Sequence, residues 1–135
     1  MIMNKKILIV EDEFVIAHDL RNILTRLGYE VIGIALSEAK AVPLLEQQTP
    51  DLVLLDIQLK GNKTGIDIAH LLNDRYQVPF VFVTSFSDQQ TIAQVKDTRP
   101  FGYLLKPFKP EQIYAAVEIA LAHAENRTLQ KQMPT

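Results

Sequence analysis

The chain has 135 residues, 47% of them hydrophobic and 22% charged, and its 14 Lys and Arg against 16 Asp and Glu leave a formal net charge of −2. That length suits one domain able to bury roughly two-thirds of its unfolded surface, and the charge balance writes no basic groove for nucleic acid into it. There is no Cys, which excludes disulfides, thiolate nucleophiles and cysteine-ligated zinc or iron–sulfur centres. The opening MIMNKKILIVEDE meets acids too early for a signal-peptide core or a membrane span, so the expectation is a soluble, cytoplasmic domain without membrane contact.

No repeat or low-complexity tract interrupts the chain. Ile7–Val10 is a short apolar run that predicts a first strand. Phe14, Ala17, Leu20, Ile23, Leu24 and Leu27 then recur at three and four, the spacing of one helical face, and Gly28 follows as a left-handed stop. Val31–Ala35 predicts the second strand. Ser37 can cap a second helix reaching about Gln48, although Pro43 inside it requires a later start or a kink. Leu52–Leu55 predicts the third strand, and Thr64 caps a third helix that ends before Val78-Pro79. Phe80–Val83 predicts the fourth strand, with Ser87 or Asp88 capping a short helix near Gln89–Lys96. A weaker run, Phe101–Leu105, predicts the fifth strand. Pro110 then opens a fifth helix whose stripe is Ile113, Val117, Ala120 and Ala124. That helix runs from Glu111 to near Gln130, about 30 Å, and its end, AENRTLQKQ, is polar. The expected division is a domain over residues 1–124 and a polar helical extension or linker tail over 125–135. Near-continuous apolar runs suit strands buried on both faces, and strand–helix alternation repeated five times predicts a parallel α/β sheet with helices on both sides.

The polar residues just past the strands carry the functional signal. Glu11, Asp12 and Glu13 follow the first, Asp56 the third, Thr84 and Ser85 the fourth, and Lys106 the fifth. Ligands of open α/β sheets sit at the carboxyl ends of strands, where the order reverses. In the order 2-1-3-4-5, Asp12 and Asp56 converge with Glu11 beside them, and Thr84 and Lys106 lie further along. Carboxylates gathered at one edge repel and call for a hard divalent cation such as Mg²⁺. A hydroxyl and an ammonium aimed at the same spot suit a phosphoryl group, whose transfer is mostly positioning and charge neutralisation around a nucleophilic Asp. Each residue alone has a plain explanation: acids favouring a helix start, a loop Asp, a strand-end Thr, a solvated Lys. Their joint occurrence at four strand ends favours a site. His18, His70 and His123 lack ligand spacing and read as surface or boundary residues.

ILIVEDE, PDLVLLDIQLKG, VFVTS and GYLLKPF resemble the segments of the receiver domain of two-component response regulators, from about Lys5 to Ala122. The resemblance implies a single (βα)5 flavodoxin-like doubly wound domain; receivers are themselves examples of the 2-1-3-4-5 order, so order and resemblance are not independent. It implies that Asp56 is the phosphoacceptor, taking a phosphoryl group from a phosphohistidine on a histidine kinase or phosphotransfer protein. Asp12, Asp56 and the backbone carbonyl of Gln58 would hold Mg²⁺, or Mn²⁺ in its place, with Glu11 acting through water. Lys106 would pair with the phosphoryl group, and its bond to Pro107 is a candidate for cis. Thr84 would swing onto a phosphoryl oxygen and Tyr103 would turn inward, switching the surface of the fourth helix, fifth strand and fifth helix. Gln58 and Phe86 stand where receivers tune the lifetime of the phosphorylated state. Such a domain is a signalling phosphoacceptor rather than a conventional enzyme.

Rival readings fare worse on the residues. A haloacid-dehalogenase-like phosphohydrolase expects a second Asp where Gln58 stands. Acids after the first strand would repel a flavin phosphate, and GxxxxGK[ST] and GxGxxG are both absent. A degenerate receiver that only binds proteins would lack a key position, and none is missing. LKGNKTGIDIA and TRPFGYLLKPF are also similar to receivers that precede LytTR-type DNA-binding domains. The output is therefore open between a stand-alone receiver and a fragment of a longer regulator or hybrid kinase. A homodimer through the switching surface is the favoured assembly, with no direct nucleic-acid binding by this domain.

Overall fold

The computed structural model describes residues 4–59, 64–85 and 87–132. Five strands, β1 (Lys6–Val10), β2 (Glu30–Ala35), β3 (Leu52–Leu55), β4 (Phe80–Thr84) and β5 (Gly102–Leu105), form one parallel sheet in the order β2-β1-β3-β4-β5. Helices α1 (Phe14–Arg26), α2 (Glu38–Gln47), α3 (Gly65–Leu71), α4 (Gln89–Thr98) and α5 (Pro110–Gln132) connect and flank them. The expected fold is therefore present, with strand and helix limits within a few residues of those read from the sequence. Among the described residues no helix is long and apolar enough to cross a membrane.

Alternation along each strand splits the core in two. Ile7, Ile9, Leu52, Leu54, Val81 and Val83 pack under α1 and α5, against Ala17, Leu20, Leu24, Ile113, Val117 and Ala120. Leu8, Val10, Val53, Leu55, Phe80 and Phe82 face the other way, toward Ala41, Leu45, Ile68, Ala69 and Val95 on α2, α3 and α4. Successive strand residues point to opposite faces, so an unbroken apolar run is what a sheet covered on both sides requires. The central strands β1, β3 and β4 are almost wholly buried, whereas the edge strands β2 and β5 are half-buried.

The helix ends obey local chemistry. At the end of α1, Gly28 adopts φ 97°; its N–H bonds Thr25 O and the Tyr29 N–H bonds Leu24 O, closing a Schellman motif. Ser37 caps α2 through Lys40 N, Thr64 and Asp67 form a reciprocal capping box on α3, and Asp88 rather than Ser87 caps α4 through Thr91 N. Pro43 does not delay α2, which starts directly after Ser37 and runs through it. Both Pro43 and Ala39, whose carbonyl loses its partner, are exposed, so water can satisfy that carbonyl.

Two expectations fail at α1. Phe14 and Leu27, placed on its apolar stripe, are 68% and 36% exposed. The first turn overhangs the carboxyl edge of the sheet and the last residue lies past the helix, so only the middle of the stripe has core beneath it. A π-helical turn, Leu72–Tyr76, extends α3 and ends at Gln77 in the left-handed region, a feature with no signal in the residue pattern. Asn73 Nδ2 in this turn donates to Thr98 O at 2.8 Å, and Arg75 and Tyr76 both reach Glu46 Oε1 at 2.6 Å. Helix α5 crosses residue 124 without interruption, and the Arg127 guanidinium lies 5.6 Å from the centroid of the Phe101 ring.

Replacing Gly28 by Ala forces a side chain into the left-handed conformation at a cost of about 1–2 kcal/mol. Urea unfolding should show a lowered midpoint with an unchanged slope.

Candidate functional site

The parallel ladder brings the strand ends to one level. Val10 pairs with Leu55, and Thr84 with Leu105. The first residue past each strand is then pinned by its main chain to a neighbour: Glu11 N–H to Ala35 O, Asp56 N–H to Val10 O and Lys106 N–H to Thr84 O, at 3.0, 3.0 and 2.9 Å. Three residues far apart in the chain thus leave the sheet from a rigid frame.

Their side chains meet. Lys106 Nζ lies 2.9 Å from Asp56 Oδ2 and 2.5 Å from Glu11 Oε1, and all three side chains are nearly inaccessible to water. Carboxylate oxygens of Glu11, Asp12, Glu13 and Asp56 all lie within 4.8 Å of one another. Burial raises the Glu11 carboxyl to about 7; the Asp56 charge adds to the rise, while hydrogen bonds from Lys106 and the Glu13 N–H oppose it. For Lys106, burial works against the charged form, but its bonds to Glu11 and Asp56 prevail and raise it above the ordinary lysine value. With one ammonium among the described residues for four carboxylates, the donor set fits a hard oxygen-seeking cation such as Mg²⁺.

The remaining predicted residues surround this cluster. Asp12 is half-buried, and with Glu13, Phe14, Gln58, Leu59 and Ser85 it lines an open cleft above Asp56 and Lys106. The Gln58 N–H approaches Asp56 Oδ1 at 3.4 Å, while its side chain is exposed. Thr84 is completely buried at the end of β4. Tyr103 on β5 is half-buried, its ring centroid 6.3 Å from that of Phe82, and burial first, then Asp88 and Asp56, raises its phenol. Tyr103 pairs with Phe82, and Thr84 is two residues beyond Phe82, so both occupy the α4 face of the sheet. The Lys106–Pro107 bond is cis, as the sequence suggested. Phe86, and the 60–63 part of the segments quoted above, lie outside the described residues.

One residue of the site escaped the sequence reading. Gly65 opens α3, its N–H donating to Ile57 O at 2.7 Å. A Cβ on Gly65 would stand 1.9 Å from the Asp56 carbonyl oxygen and 2.7 Å from Ile57 Cα. Only glycine lets α3 start against the backbone that carries Asp56; the signal in the chain is no more than a Gly after a capping Thr.

The response regulator receiver domain model matches residues 7–118. The chain belongs to this family. Over 118 residues it is 35% identical to the transcriptional regulatory protein PdtaR of Mycobacterium tuberculosis, covering 87% of this chain and 57% of that protein. Over 120 residues it is 35% identical to the phyllosphere-induced regulator PhyR of Methylorubrum extorquens, covering 88% of this chain and 44% of that one. The receiver thus spans about half the length of these relatives. Among solved structures it resembles the signal receiver domain of a modulated diguanylate cyclase from Desulfovibrio desulfuricans G20, with a TM-score of 0.87, 34% identity and coverage of 93% and 99% of the two chains.

Substituting Gly65 by Ala should displace Asp56 or α3 and cost about 1–3 kcal/mol of stability. Thermal unfolding will report the loss, and amide spectra will show it centred on residues 56–58.

Proposed function

We propose that this receiver accepts a phosphoryl group on Asp56 from a phosphohistidine of a histidine kinase or phosphotransfer protein, in a Mg²⁺-dependent reaction in the cytoplasm. The observation that carries the reading is the buried bridge from Lys106 Nζ to Asp56 Oδ2 and Glu11 Oε1 at the floor of an open cleft. Asp56 Oδ1 and Oδ2 are the nucleophilic atoms; Lys106 holds the carboxylate in place and is poised to pair with an incoming phosphoryl oxygen. Asp12, Asp56 and the Gln58 carbonyl would hold the cation, with Glu11 acting through water, and the cation would neutralise charge developing on the phosphoryl group. This is stoichiometric signalling chemistry, not turnover of a metabolite.

The readout uses Thr84 and Tyr103. New charge on Asp56 draws the Thr84 hydroxyl toward a phosphoryl oxygen, and Tyr103 follows inward on the same face of the sheet. The surface of α4, β5 and α5 changes shape and supports pairing with a second copy or another protein. Gln58 and Phe86 set the lifetime of the aspartyl phosphate, Phe86 by shielding phosphorus from in-line water and Gln58 by orienting that water. The output of any longer protein carrying this receiver, whether a LytTR-type regulator or a hybrid kinase, is a separate question.

Acetyl phosphate with Mg²⁺ should add one phosphoryl group to the intact mass of the wild type, none to Asp56→Asn, and none after chelation. If no donor labels the wild type, the domain acts only by binding. Dephosphorylation of Phe86→Ala should be faster than that of the wild type, measured by loss of the phosphorylated mass.

A further inference from the structure

Glu13 is the member of the acidic cluster to which the proposed chemistry assigns no role. It occupies the N-cap of α1, yet its side chain makes no capping bond, although capping is the usual service of a polar residue there. Its main-chain N–H is held by Glu11 Oε2 at 3.2 Å. Its carboxylate, 64% exposed, lies 4.0 Å from Lys106 Nζ, and it lines the open side of the cleft with Phe14, Gln58 and Ser85. A donor approaching Asp56 therefore passes a negative charge that already draws on the Lys106 ammonium.

Phosphoryl donors differ in charge where they pass that residue. An acyl phosphate arrives as a dianion: Asp56 attacks phosphorus, the P–O bond to the acyl group breaks, and the electron pair leaves on a carboxylate. An N-phosphoryl donor such as phosphoramidate arrives with its nitrogen protonated, so its outer end is cationic. Asp56 attacks, the P–N bond breaks, and the pair stays on nitrogen, which leaves as a neutral amine. In-line attack points the leaving group away from Asp56, toward the cleft mouth where Glu13 stands.

We propose that Glu13 is a specificity-determining residue, a charge filter that disfavours acyl phosphates and favours N-phosphoryl donors with a protonated leaving group. The inference rests on Asp56 being the phosphoacceptor, and it names the donor class for that same site. One unit charge roughly 5–8 Å from the reacting group, partly screened by water, changes a rate constant by about three- to tenfold.

The test is the second-order rate constant for phosphorylation by acetyl phosphate and by phosphoramidate, in wild type and Glu13→Gln, at low and high salt. Glu13→Gln should accelerate the acetyl phosphate reaction about three- to tenfold and leave phosphoramidate within about twofold or slower, the contrast shrinking as salt rises. Glu13→Lys should widen it. Both donors are compared at saturating Mg²⁺, with the affinity of each protein for the ion measured by calorimetry, because Glu13→Gln removes a carboxylate within 4.8 Å of the metal-site oxygens and weakens cation binding. An unchanged ratio between donors overturns the filter, as does equal acceleration of both, which would mean that Glu13 merely restrains Lys106. If neither donor labels Asp56 in the wild type, the phosphoacceptor reading itself falls and the filter with it.

Discussion

The ammonium of Lys106 is the pivot of this molecule. It lies between Glu11 just past β1 and Asp56 just past β3, all three side chains nearly buried at the floor of the cleft. Taking a carboxylate out of water costs several kcal/mol unless a partner compensates, and two buried carboxylates side by side add repulsion. One lysine just past β5 offsets both, and β4 lies between β5 and β3, the strand that Asp56 follows. The pairing ties together the carboxyl ends of β1, β3 and β5, in addition to the main-chain ladders and the apolar cores. Asp12 and Glu13 bring further negative charge to the same few ångströms. A cluster of carboxylates this close suits a hard divalent cation.

The frame beneath makes this possible. In a parallel sheet all strands end on the same side, so the residues just past them share one edge. The main-chain bonds from Glu11, Asp56 and Lys106 to neighbouring strands fix where each side chain begins. Apolar layers on both faces keep that edge rigid, and the glycine at the start of α3 lets a helix press against the Asp56 backbone. The same sheet extends the site toward a surface. Thr84 and Tyr103 share the face covered by α4, and Asn73 in the π-helical turn secures the end of α4 through Thr98. The site edge and the α4 face are thus joined by a few packed side chains.

Family membership agrees with this physical picture without extending it to a whole-protein role. Relatives such as PdtaR and PhyR are about twice the length matched here. What belongs to this chain is the site, the surface beside it and the charge at its mouth.

Much of the fold is local and therefore legible in the residues. Apolar runs buried on two faces, capping residues at Ser37 and Thr64, and the Gly28 stop all act within a few residues of chain, and their physics is the same in any context. The polar residues at the strand ends were equally legible as candidates, because parallel strands must share an edge. Other features depend on what lies across space. Whether Phe14 is covered depends on how far α1 overhangs the sheet, which its periodicity does not encode. Gly65 is required by a backbone 1.9 Å from an absent Cβ, and the π-helical turn is tied to α2 and α4 by distant partners. The sequence alone determined which polar residues could share the carboxyl edge of the sheet. Only the tertiary structure decided that Lys106 bridges Glu11 and Asp56 while Glu13 stands at the rim, because those distances join residues up to 95 positions apart and are set by packing.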